Sequence, residues 1–320
     1  MQQTEHASVS AKVKKKETGW LSMVKKDFVK HWPLYLMLLP TIVFFIVWLY
    51  MPMYGIQLAF RNFRPRMGIA GSPWVGFDNF INFFNSVFAW RVIRNTLLLS
   101  FYNMLWGFPI PIIFALMLNE VRQQVFKRTV QTISYMPFFI SLVVACGIFL
   151  QFSTSDGLFG EFQRMLGLNP VNLFATPNLF RTMFNITEIW QSFGFGSIIF
   201  LAALTAVNPE LYEAAKIDGA SRIRQIWHVS LPGILPTITI LLILRIGALM
   251  TVSFERVLLL QNYLNREVSD VVATFVFRRG ILEFDFGLAT AVGLFNSLIN
   301  FGFLLAANKI ANKVTGSGLW

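Results

Sequence analysis

Six long apolar stretches dominate this chain and leave few folds open to it: Leu34–Leu58, Thr96–Leu118, Ile133–Phe152, Met183–Val207, Ile234–Phe254 and Phe286–Asn308. A bilayer core about 30 Å thick needs about 20 apolar residues in a helix rising about 1.5 Å per residue, and each stretch meets that length. Composition agrees, with 55% hydrophobic and only 13% charged residues among 320. The expectation is an all-α polytopic membrane protein with six transmembrane helices, which excludes a soluble globular domain and a disordered chain. The first stretch is too long for a signal-peptide core and no small-residue cleavage site follows it, so it is expected to remain as an anchor. Pro40, Pro109, Pro111 and Pro137 fall inside stretches and predict kinks.

Charge sets the direction. The chain carries 27 Lys+Arg against 16 Asp+Glu. With both termini cytoplasmic, all eleven lysines face the cytoplasm, from Lys12 in the tail through Lys127 and Lys216 to Lys313. The arginines divide. Arg61, Arg64, Arg66, Arg91 and Arg94 fall in the first outer loop, and Arg256, Arg266, Arg278 and Arg279 in the last. In a membrane chain this basic excess points to cytoplasmic loops rather than nucleic acid. Ahead of the first stretch, Met1–Lys16 reads as disordered, and Trp20–Lys30 as an amphipathic helix on the inner leaflet. The domain expectation is a basic tail with an interfacial helix (1–33), a first helix and outer loop (34–90), a core of five further transmembrane helices (91–312) and a short tail (313–320). The single cysteine, Cys146, excludes an intramolecular disulfide, and the three histidines are too dispersed for zinc.

The polar loop between the fourth and fifth stretches, 208–236, has more structure than a connector needs. Asn208 and Pro209 suit a helix start, and Glu210 and Glu213 suit its dipole. Leu211, Ala214, Ala215 and Ile217 give a short amphipathic helix, and Gly219 permits the left-handed turn that ends it. A second apolar face, Ile223, Ile226, Trp227 and Leu231, precedes Pro232. This is a helix–turn–helix on the membrane surface, serving either as an amphipathic connector or as a dock for another protein, with Glu213 offered to a basic partner.

The run Glu213-Ala214-Ala215, then Asp218-Gly219-Ala220, then Leu231-Pro232 and Pro236, resembles the EAA loop of binding-protein-dependent ABC importer permeases. Trp227 stands where Phe is more usual. The resemblance reaches further: Val75–Phe80 is similar to the outer-loop segment of sugar permeases, and Asn95-Thr96, Ala115–Glu120, Phe126–Arg128 and Pro137 also fit the carbohydrate subfamily. It covers most of the chain after Trp20. It implies the type I ABC importer permease fold. It also implies a second permease subunit as heterodimer partner, two ATPase subunits and an extracellular solute-binding protein delivering a sugar or oligosaccharide. Glu213, Ala214, Ala215, Asp218, Gly219, Ala220, Leu231 and Pro232 would couple the chain to the ATPase. No Gly-Lys dipeptide occurs, so no Walker A loop is present and ATP-Mg is expected on the partner ATPases, with no cofactor or metal on this chain.

Polar residues within the stretches mark either a solute path or helix–helix contacts. Gly293, Asn296, Ser297 and Asn300 share one helical face, as do Asn185, Glu188 and Ser192. Glu188 and Arg245 serve equally as pathway groups or as structural ions. Counted from Val207 and Ile234, they lie at roughly 28 and 16 Å, which argues against their pairing. Tyr102, Trp106, Trp190 and Phe193 could stack on pyranose rings, although aromatics in such helices are more often core or lipid-facing. Gly194 and Gly196 read as close packing or a hinge. An ion-coupled secondary transporter would show matching interrupted halves, and a membrane enzyme a cluster of acids or histidines; neither pattern is seen.

Overall fold

The computed structural model describes residues 20–316 together with 318 and 319, and the reading of Met1–Lys16 lies outside them. Among the described residues the fold is all helical, with a single isolated bridge between Arg61 and Trp74 and no strand. Two units are distinguished, Met1–Gly55 and Ile56–Trp320. Five helices are long and apolar enough to cross a membrane: Asp27–Phe60, Ala89–Glu120, Pro177–Thr205, Arg222–Gly247 and Phe286–Val314. A bent pair, Gln124–Phe139 and Leu142–Phe152, turns through 98° and makes a sixth if its two arms are one span.

In the first unit, α1 (Trp20–Phe44) runs from the basic segment straight into the apolar one. Its break falls at His31 (φ −116°, ψ 21°), two residues ahead of Pro33, rather than at Pro40. Asp27 bridges the break, accepting from the Tyr35 hydroxyl at 2.5 Å and contacting the His31 ring at 2.8 Å.

In the second unit, α2 (Ala89–Glu120) widens at Asn103–Gly107, one turn before Pro109. Pro109 and Pro111 remove two helical donors there, so the turn loosens without the helix ending. Pro137 has the larger effect. It lies in the tight turn Met136–Phe139 that closes α3 (Gln124–Phe139), after which the chain bends into α4 (Leu142–Phe152). The third apolar stretch is therefore a broken segment, because a proline and the extended Ile140–Ser141 backbone interrupt the ladder together.

Next come α5 (Pro177–Thr205), α6 (Pro209–Ile217) and α7 (Arg222–Gly247). The chain then forms α8 (Phe254–Leu260), α9 (Val272–Phe277) and α10 (Phe286–Thr315). The fifth apolar stretch is shifted from expectation. Its helix begins at Arg222 and ends at Gly247, so Leu231 and Pro232 lie inside a helix rather than in a loop. A wide turn at Ile226–Ser230 lets the helix pass Pro232 with its donor deficit already absorbed.

Packing is tightest where glycine removes a side chain. A Cβ on Gly194 would lie 2.0 Å from the Ser134 carbonyl oxygen, so α5 and α3 touch backbone to backbone. Gly196 is different, its nearest neighbour there being Pro111 at 3.7 Å. Three apolar clusters hold the helices. One joins Ile112 and Ala115 of α2, Phe200 and Leu204 of α5, and Ile234 of α7. A second gathers Phe83, Val92, Phe275 and Val292, and the third Leu99, Phe149, Phe180, Phe184 and Val257.

Gly194→Ala must force α3 and α5 apart, and a cost toward the upper end of about 1–3 kcal/mol is expected. Melting of the purified protein in detergent should drop by several degrees for Gly194→Ala and by little for Gly196→Ala. Equal melting temperatures would contradict the contact.

Candidate functional site

Two sites emerge, an exposed loop and an internal cavity. At the loop, the Asn208 side chain accepts from the Glu210 amide at 3.0 Å and caps α6, whose first residue is Pro209. Glu210 and Lys216 sit at the ends that favour their charges. At the far end the Asp218 amide donates to the Ala214 carbonyl (3.0 Å), and the Ala220 amide to Ala215 (2.8 Å). Gly219 makes this closure with φ +72°, a left-handed value that costs other residues about 1 kcal/mol or more. A Cβ there would meet nothing within 4 Å, so the demand for glycine is one of backbone.

Glu213, Ala214, Asp218 and Gly219 are exposed, while Ala215 and Ala220 are half-buried against the body. The loop also leaves Leu211, Ile217, Ile223 and Trp227 largely uncovered, Ile217 at 87%. These apolar side chains form an exposed patch around the polar turn. The loop is joined to the membrane helix by a hydrogen bond between the Tyr212 hydroxyl and the buried Ser230 hydroxyl, 2.9 Å long. Gln225, also buried, donates to the Ala220 carbonyl at 2.9 Å and fixes the turn from the other side.

The cavity lies among α2, α5 and the end of α7, with about 440 Å³ of empty space. Ser100, Asn103, Glu188, Arg245, Thr251 and Ser253 supply its polar wall. Glu188 and Arg245 face one another here with 3.8 Å between carboxylate and guanidinium. The depth count argues against this pairing because it takes Ile234 as the foot of the fifth span; the helix begins twelve residues earlier, at Arg222, so the two counts do not start from one level. Arg256, assigned from sequence to an outer loop, is also inside. It is 7% exposed, donates to Gln191 at 2.8 Å, and leaves Nε and Nη1 without hydrogen-bond partners. The chain turns back after Gly247, and α8 returns Arg256 into the protein beside Glu188.

Gln191 has a second role. Its amide donates to the Ile140 carbonyl at 2.8 Å, capping the backbone freed at the α3–α4 bend. No sequence pattern marked Gln191. A glutamine one turn from Glu188 in an apolar helix was the available signal.

The other pathway candidates are dispersed. Trp190 packs edge-on against Phe149 at 5.2 Å, in the core. Tyr102 and Trp106 are exposed and outside the cavity wall. Phe193 meets Phe114 at 5.1 Å. Asn300 accepts from the Met250 amide at 2.8 Å and donates to Thr251 at 3.0 Å, holding the turn that follows α7. Asn296 has a buried carbonyl oxygen with no hydrogen-bond partner.

Similarity to known proteins is extensive. Residues 107–315 match the family described as the binding-protein-dependent transport system inner membrane component. Protein LplB of Bacillus subtilis (strain 168) is 41% identical over 306 residues, 95% of each chain. The polygalacturonan/rhamnogalacturonan transport system permease protein YteP of the same organism is 40% identical over 314 residues, 98% of this chain and 97% of that one. Among solved structures, a chain of a bacterial ABC transporter involved in the import of the acidic polysaccharide alginate superposes with a TM-score of 0.85 at 40% identity, covering 92% of this chain and 99% of that. The same agreement holds for that transporter in complex with an alginate pentasaccharide-bound periplasmic protein.

Gln191→Met removes partners from both the Ile140 carbonyl and Arg256. A loss of about 2–4 kcal/mol is expected, since each buried group left bare costs about 1–3 kcal/mol. Thermal unfolding in detergent measures it; the exposed Ser192→Ala, whose hydroxyl bonds only the Glu188 carbonyl of its own helix, is the comparison. Equal stability of the two variants would remove Gln191 from this role.

Proposed function

The chain belongs to the binding-protein-dependent transport system inner membrane component family, and we propose from this that it lines the path for a sugar or oligosaccharide handed over by an extracellular binding protein. It is a permease subunit of a carbohydrate ABC importer, a multi-pass protein of a bacterial membrane. Membership disposes of the ion-coupled alternative, which left the 208–236 loop without a purpose.

The finer features are our reading. Six spans result when the bent α3–α4 pair is counted as one crossing, with both termini cytoplasmic, 91–312 as the permease core, and the tails 1–33 and 313–320 inside. A second homologous permease completes the path, as a heterodimer, and two ATPase subunits bind ATP-Mg beneath. This chain is a transport subunit that holds no nucleotide itself. α6 seats in a cleft of the ATPase, with Glu213 opposite a basic residue, Ala214 and Ala215 allowing close approach, and Asp218, Gly219 and Ala220 forming the turn. Leu231 and Pro232 lie where the loop's second arm enters α7. The observation that carries this is the exposure of the motif residues on a capped, pre-formed helix surrounded by uncovered Leu211, Ile217, Ile223 and Trp227.

Transport needs the ATPase to grip one permease conformation more tightly than the other. The Tyr212–Ser230 bond gives such a grip a route into α7. Of the pathway candidates, Glu188 and Arg245 are the pair we assign to the solute path, since they share the cavity.

Gly219→Asp should abolish ATP-driven uptake in proteoliposomes of the whole importer and uncouple ATP hydrolysis from it, while membrane insertion is retained. Sugar uptake at the unsubstituted rate would sink the coupling assignment. Tyr212→Phe should leave the ATPase bound but lower the uptake per ATP hydrolysed severalfold.

A further inference from the structure

The loop between α8 and α10 folds with the start of α2 around a second concavity. Its empty space is about 590 Å³, and Arg91, Arg266, Arg278 and Arg279 stand in its wall with Phe88, Phe275 and Glu283. Four guanidinium groups so close need carboxylates, and the protein supplies two. Asp270, fully buried, takes Arg278 in a two-pronged pair (2.8 and 3.3 Å) and also accepts from Thr274 at 2.9 Å. Glu283 takes Arg279.

Positive charge is left over. Arg91 reaches Asp270 only at 3.7 Å, beyond a hydrogen bond, and its buried Nε has no hydrogen-bond partner. The described residues give Arg266 no ion pair. The groups are also held in place. Arg91 lies over the Phe88 ring at 5.0 Å, and Arg278 and Arg279 over Phe275 at 5.9 and 5.6 Å. Stacked guanidinium groups lose little freedom on binding an anion, and their fork matches a carboxylate.

We propose that this arginine-walled pocket receives an anionic sugar unit, a hexuronate of an acidic oligosaccharide, with Arg91 and Arg266 taking its carboxylate. The inference rests on the permease reading above, which puts this loop on the outer side, and adds to it the charge class of the solute. Phe88, half-buried beside Arg91, gives the pocket an apolar edge for the CH face of a pyranose. The room open to a water-sized solute, about 300 Å³, lies at the lower end of small-ligand sites.

The test is binding of trigalacturonate to the complete importer in lipid nanodiscs, without the binding protein. Wild type should bind it, with affinity falling as salt rises. Fully methyl-esterified trigalacturonate should bind at least tenfold more weakly. Arg91→Gln/Arg266→Gln should weaken trigalacturonate at least tenfold, as should Arg266→Gln alone in lesser degree, and Arg164→Gln, the loss of one charge elsewhere on the surface, should not. Should the double variant fail to assemble with its ATPases, Arg266→Gln alone serves, because it leaves the Asp270 pairs intact. Equal binding of acid and ester, or unchanged binding in the variants, overturns the proposal. So does a variant that still binds trigalacturonate but no longer docks the sugar-free binding protein, since the pocket would then be a protein contact. Uptake of neutral oligosaccharides without trigalacturonate binding overturns this inference alone, whereas absence of ATP-driven uptake for every oligosaccharide overturns the permease reading.

Discussion

Backbone that leaves the helix at membrane depth must find its hydrogen bonds inside the protein, and this constraint organises the second unit. Three irregular segments are capped by side chains from long helices. Gln191 of α5 covers Ile140 at the α3–α4 bend. Asn300 of α10 covers Met250 where α7 ends. Asn95 of α2 donates to the carbonyls of Glu267 and Asp270 at 2.8 and 3.0 Å, and Thr96 beside it accepts from the Val272 amide at 2.9 Å. The breaks are thus fixed features, each tied to a neighbour by one or two named bonds.

Charge follows the same economy with less margin. Asp270 is surrounded by Arg278, Thr274 and Arg91, so a buried carboxylate has more donors than it needs. Arg256 is the reverse case, a buried guanidinium with one recorded bond, to Gln191, and two bare N–H groups. An ion pair taken out of water returns little net stability, and a bare buried donor costs about 1–3 kcal/mol. The cavity beside Glu188 is where the protein carries polar potential that its own fold does not use.

These two patterns explain what was legible in the sequence. Local chemistry was readable: the Asn208 cap, Pro209 at the first turn, the left-handed Gly219, and apolar runs long enough to cross a bilayer. Each depends on a residue and its neighbours within a turn. Gly194 was readable as close packing, but not the Ser134 carbonyl it packs on. The Glu188–Arg245 contact and the burial of Arg256 were not readable, since both depend on how α5, α7 and α8 tilt and return. The start of span five at Arg222 was hidden for a different reason. Read from sequence, the second helix of the helix–turn–helix ends before Pro232, yet it runs on through Pro232 and Pro236 as far as Gly247, because the wide turn at Ile226–Ser230 absorbs the missing donor.

That continuity has a mechanical consequence. α7 spans 26 residues, about 39 Å at about 1.5 Å each, and carries the two features that matter at opposite ends. Near its foot Ser230 is bonded to Tyr212 of α6, and near its head Arg245 faces Glu188 of α5. Between them Ile234 and Ile243 are buried, so the helix is gripped along its length. Adjacency alone transmits nothing; the requirement is an element with two arrangements that both ends can bias. The 3.8 Å Glu188–Arg245 contact is suited to be that element. It is longer than a charge-assisted hydrogen bond, so modest sliding of α7 against α5 would make or break it at little cost in packing. A fully hydrogen-bonded pair such as Asp270–Arg278 could not serve, because its separation would strand a carboxylate with no access to water. The looser pair joins α5 to α7, and the tighter one holds the loop that follows α8.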